Sequence, residues 1–192
     1  MRRVVMVCVV VCALLAVGCV DEGTTPPTEL TQLLPQNDLP EGLTLLAVLT
    51  PASAVSSSAD VLGELDRYGE KKDTIPPIVD SAEGVYSSGG KYDVSLYIAQ
   101  LASSSDAQDA YFAYLNQTAF EGELSPSYKR LEVWLTHGKQ ITEIKDVSPE
   151  NDIRFVYVWC SEDMLLIVKG NNNREQMREL SSLVVGTVSV PM

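Results

Sequence analysis

The chain has 192 residues, with 14 Lys and Arg against 26 Asp and Glu, a formal net charge of −12 at pH 7. So acidic a chain lacks the cationic surface through which nucleic acids and anionic bilayers are held. A single histidine excludes a two-histidine zinc site.

The N-terminus reads Met1-Arg2-Arg3, then an unbroken apolar run from Val4 to Val17, then Gly18-Cys19. A basic start, an apolar core and a small residue before a cysteine is the layout of an export signal. The run is shorter than the roughly 20 residues of a spanning helix, so an uncleaved anchor would be short. Leu15-Ala16-Val17-Gly18-Cys19 resembles the lipobox of membrane lipoproteins, although Ala16 stands where leucine is more usual. The resemblance implies cleavage after Gly18 and a diacylglyceryl thioether on Cys19. Two acyl chains anchor a protein stably where one is marginal. It further implies residence on the extracytoplasmic face of the cell membrane. Removing residues 1–18 takes Arg2 and Arg3 away and leaves a net charge of −14. Cys8 and Cys12 leave with the signal, so Cys160 is the one unmodified thiol that remains, without an internal disulfide partner. Its apolar neighbours predict a buried, inert thiol.

Residues 19–40 hold Pro26, Pro27, Pro35 and Pro40 among threonines and acids, with no apolar period. They read as a tether, semi-extended where proline is dense, that Leu33 and Leu34 bring into touch with the domain. The domain, 41–192, opens with a buried strand over Leu43–Leu49. A short helix after Ser58 follows, with Val61, Leu62, Leu65 and Tyr68 on one face. Gly84 to Ile98 reads as a hairpin turning at Ser87-Ser88-Gly89-Gly90, with Tyr92, Val94, Leu96 and Ile98 alternating along the return strand.

Ser105-Asp106-Ala107-Gln108 has the form of a capping box. The helix it opens carries Ala107, Ala110, Tyr111, Tyr114, Leu115 and Ala119 on one stripe. Two further hairpins follow. One turns at His137-Gly138 between Leu131–Thr136 and Ile141–Val147. The other turns at Ser161-Glu162-Asp163 between Ile153–Cys160 and Met164–Val168. Ile153–Cys160 is apolar on both faces, as in the middle of a sheet. Asn173 caps a last helix, with Gln176 in the reciprocal position, Met177, Leu180 and Val184 inward and Gly186 as its stop. The pattern predicts an α+β fold: a mainly antiparallel sheet of six or seven strands with two or three helices packed on one face.

Catalytic and metal signatures do not assemble. His137 sits in a tight turn, and no G-x-S-x-G marks a nucleophile. Gly84–Tyr92 resembles a phosphate loop only superficially: glycine is missing at Val85, and no Ser or Thr follows Lys91. No acidic run has the alternation, glycine and distal glutamate of a calcium loop. No catalytic residue, metal ligand or cofactor is assigned. Asn116-Gln117-Thr118 forms a glycosylation sequon at Asn116, significant only in a host that glycosylates exported proteins. The candidate ligand or partner face is aromatic: Phe155, Tyr157 and Trp159 on one strand and Trp134 on another, exposed if the helices cover only the opposite face; the alternative, which apolar residues at this spacing favour, is ordinary core beneath the helices or the N-terminal segment.

The expected function is a lipid-anchored, extracytoplasmic, non-catalytic binding or accessory module of the cell envelope. Its partners would be the membrane through Cys19 and an envelope protein or second copy; nucleic acid is not among them. A self-associating structural protein and a hydrolase using paired carboxylates are the alternatives.

Overall fold

The computed structural model describes residues 29–50, 76–89, 91–116, 131–147, 153–171 and 173–188. Seven strands form one sheet: β1 (Leu43–Leu49), β2 (Ile78–Ser88), β3 (Lys91–Leu101), β4 (Leu131–Thr136), β5 (Lys139–Val147), β6 (Ile153–Ser161) and β7 (Met164–Lys169). The sheet order is β1-β2-β3-β7-β6-β5-β4, and every neighbouring pair is antiparallel. With helices α1 (Ser104–Leu115) and α2 (Arg174–Val188), this is a mostly antiparallel α+β fold. The helix expected after Ser58, the signal segment with Cys19, and Ala119 lie outside the described residues.

The hairpin turns are local chemistry. His137 and Gly138 both take positive φ, 46° and 75°, as a two-residue type I′ turn requires. Glycine enters that region freely, and histidine is among the residues enriched there. Gly89 (φ 61°) and Glu162 (φ 54°) serve the turns between β2 and β3 and between β6 and β7.

The helices do not share a face. Successive side chains on a strand point to opposite sides of the sheet, and each side carries its own core. On one side, Val94, Leu96, Ile98, Phe155, Tyr157, Trp159, Leu166 and Val168 pack with Met177, Leu180, Val184 and Val185 of α2. On the other, Tyr97, Ala99, Val156, Val158, Leu165 and Ile167 pack with Ala107, Ala110 and Tyr114 of α1. Packing on one face is therefore corrected to one helix on each face. The physical reason lies in β6 and β7, apolar on both sides: each side must be covered, and one helical layer covers only one. The topology delivers this coverage. Alternating strand directions make β3 and β4 parallel, and α1, which follows β3, lies across β3, β7 and β6 on one face.

Caps fix the helix starts. The N-cap of α1 is Ser103, two residues before the expected box: its Oγ accepts from Asp106 N at 3.1 Å and donates to Asp106 Oδ2 at 2.8 Å. In α2, Asn173 Oδ1 accepts from Gln176 N at 3.2 Å, as expected. The Gln176 side chain is spent elsewhere. Its Nε2 donates to Glu41 O at 2.7 Å, and its Oε1 accepts from Ser88 and Asn171, tying α2 to the start of β1 and the end of β2. Gly186 does not stop the helix, which runs on to Val188.

The tether boundary also moves. Leu30, Leu33 and Leu34 are buried in the α2-side core, with a 3-10 turn over Leu30–Leu33. Tyr86 OH donates to Pro35 O at 3.1 Å. From residue 29 onward this segment is part of the domain, because three leucines on so short a stretch gain about 1.5–3 kcal/mol each by burial. Leu34→Ala is accordingly expected to lower unfolding free energy by about 2–5 kcal/mol, the range for a buried leucine, measured by urea denaturation. A residue in a free tether would give no change.

Candidate functional site

Strands β4 and β5 carry Glu132 and Glu143 directly opposite one another on the α2 side. Like charges in that position repel. The arrangement stands because Arg174 and Arg178, one turn apart on α2, reach both carboxylates. Arg174 Nε donates to Glu143 Oε1 at 2.7 Å, and Arg178 Nε and Nη2 reach Glu143 Oε2 at 2.9 and 2.7 Å. Arg174 Nη2 also pairs with Glu132, and Arg178 Nη2 lies 3.5 Å from it. The Glu143 side chain is fully buried, while the two arginines stay 37% and 36% exposed. The arginines thus carry the charge of the cluster to the surface.

Aromatic side chains back the cluster. Arg178 lies over the Trp134 ring, 5.3 Å from its centroid, and Trp134 meets Tyr157 edge-on at 6.2 Å. Tyr157 OH donates to Arg174 O at 3.2 Å. Burial, and then the negative Glu143, push the Tyr157 phenol well above its ordinary pKa; burial does the same to Tyr86. The indole N–H groups of Trp134 and Trp159 are buried without an acceptor among the described residues.

These contacts correct the candidate ligand or partner face. Phe155, Tyr157 and Trp159 do share one side of β6, but α2 lies on them and they are buried. Trp134 is half-buried at the margin of the same core. The rings are structure rather than open surface, since burying so much aromatic area is worth more than leaving it wet. Glu132 and Glu143 form a carboxylate pair on this sheet face. With both Glu143 oxygens occupied by arginine donors, the pair is built to position α2 rather than to transfer protons. Cys160 is half-buried, and burial raises its thiol pKa, in keeping with an unreactive cysteine. Asn116 is the exposed C-cap of α1.

An open groove remains along α2. It holds about 570 Å³ and is lined by Asp38, Pro40, His137, Glu179, Ser182, Leu183, Gly186 and Thr187. Three segments converge on it: the chain before β1, the β4–β5 turn, and the second half of α2. Thr136 and Ser182 hydroxyls hydrogen-bond at 2.9 Å and pin the turn to the helix. The absent side chain of Gly186 leaves the floor open; a Cβ there would come no closer than 3.8 Å to any neighbouring atom, His137 Nε2. A second depression of about 530 Å³, sharing Glu179 and Ser182, continues along α2 to Arg174. Sequence reasoning missed the groove, although a glycine inside a helical pattern is a signal of close approach or open space. No cluster of three or more metal-binding side chains occurs among the described residues.

Glu143→Ala is expected to cost about 3 kcal/mol in unfolding free energy, the low end for breaking a buried pair because the two arginines can still hydrate. Raised tyrosine pKa values fix a pH dependence as well. A phenol that ionises near 10.0 when unfolded but higher when folded contributes fully below that pH and loses its contribution above it. The melting temperature should therefore fall above about pH 10, and less steeply in Tyr157→Phe.

No family model matches the chain, and no curated protein matches it. Among solved structures it is similar to the extracellular domain of PknH from Mycobacterium tuberculosis, with a TM-score of 0.46 and 9% identity, over 77% of this chain and 84% of that one. A likeness at that level is one of outline and carries no function from one protein to the other.

Proposed function

We propose that the protein is a non-catalytic binding module of the cell envelope, held on the extracytoplasmic face of the membrane by lipid on Cys19, and that its ligand occupies the groove beside α2. The groove carries this reading. Its volume lies within the range of small-molecule sites, and apolar Pro40, Leu183 and Gly186 line it together with polar and charged side chains. The lipobox-like Leu15–Cys19 and the acidic composition support the location. Among the described residues, no helix is long and apolar enough to cross a membrane.

The lining indicates the ligand class. Asp38 and Glu179 belong to it, and the chain as a whole is strongly acidic. A ligand with an apolar body and a cationic head is complementary to both features. An anionic head meets like charge at the mouth.

Two measurements test the proposal. A native mass spectrum of the protein extracted from its own membranes should begin at Cys19 plus lipid; a mass that still includes Met1 would remove the anchor. Calorimetry with octylammonium and octanoate, which share a chain and differ in charge, should show binding of the cation only. In Gly186→Phe, which fills the groove from the helix side, that binding should weaken tenfold or more. Equal binding of both probes, or no effect of Gly186→Phe, would place any ligand elsewhere.

A further inference from the structure

We propose that β4 is a self-association edge, at which two copies of the chain join their sheets through antiparallel β4–β4 pairing. Strand β4 ends the sheet, and among the described residues no strand neighbours the outer side of its backbone. The turn at His137-Gly138 identifies which groups are left. The pair flanking a two-residue turn, Thr136 and Lys139, exchanges both hydrogen bonds, and bonding alternates from there. By this alternation Trp134 and Glu132 bond to β5, and the N–H and C=O groups of Leu131, Val133 and Leu135 point out of the sheet. Such a row is a template on which another extended backbone can pair in place of water.

The two edges of the sheet differ. Strand β1 is bulged between Leu45 and Ala47, a distortion that discourages pairing. Strand β4 pairs with β5 without a register shift and contains no lysine and no proline. Its single charge, Glu132, is already compensated by Arg174 and Arg178. Val133 and Leu135, on the α1 side, are 62% and 69% exposed. The edge thus combines free backbone groups, apolar side chains and no repelling charge.

The occupant is a second copy because the strand is complementary to itself. Pairing centred on Val133 places Val133 opposite Val133 of the other copy and Leu135 opposite Leu131. All three outward-facing residues then meet outward-facing residues, as the hydrogen-bond alternation demands. On the α2 side the same register sets Glu132 against Trp134 and keeps the two Glu132 carboxylates from facing each other. The contact is a closed two-fold interface that consumes the edge in each copy.

Sedimentation velocity of the full chain in a mild detergent tests the pairing. Val133→Pro removes an outward N–H that the fold itself does not use, at an edge position where proline is tolerated. Leu135→Lys, at an exposed position, adds the charge that guards natural edges and serves if the proline variant fails to fold. The wild-type chain should form a dimer, and each folded variant should dissociate at least tenfold more readily, with an unchanged circular dichroism spectrum. A wild-type chain that stays monomeric at the highest attainable concentration overturns the proposal. So does a dimer that neither variant weakens, or a dimer held by the detergent that disappears when the micelle is changed.

Discussion

Two neighbouring strands that are apolar on both sides dictate the architecture. Val156, Val158 and Cys160 alternate with Phe155, Tyr157 and Trp159 along β6, and Leu165 and Ile167 alternate with Leu166 and Val168 along β7. Such strands are stable only with a layer on each side. Helix α1, following β3, supplies one layer through the small Ala107 and Ala110 and the buried Tyr114. Helix α2 and the three leucines before β1 supply the other.

The position of α2 then follows from charge. Two opposed glutamates on β4 and β5 need cations, and the helix offers Arg174 and Arg178 at the spacing of one turn. Gln176, between them, fastens the helix start to Glu41 and Ser88. With its first turns held in this way, the far half of α2 passes beside the β4–β5 turn. Gly186 faces His137 there, and the groove opens. The groove is therefore a consequence of how the polar cluster and the core place one helix.

The local elements were legible in the sequence. Alternation of Val94, Leu96 and Ile98 announced β3, His137-Gly138 announced its turn, and Asn173 with Gln176 announced the start of α2. Such features depend on residues a few positions apart. The errors arose where local signals compete. Ser103 and Ser105 both precede a helix, and only the geometry at the end of β3 selects Ser103. Gly186 looked like a stop, yet packing of Val184 and Val185 carries the helix past it. Leu30, Leu33 and Leu34 read as part of a proline-rich tether, because β2 and α2, which bury them, lie far along the chain.

The sequence by itself determined the acidic composition and the strands and turns of the three hairpins β2–β3, β4–β5 and β6–β7, all of which are encoded in composition or in short-range periodicity. Tertiary structure alone decided which face each helix covers, that Phe155, Tyr157 and Trp159 are core, that Glu132 and Glu143 share two arginines, and that β4 is the last strand of the sheet among the described residues. Periodicity says that a side chain must be buried, but not by what; that depends on the path of the chain between elements, which the local pattern does not carry.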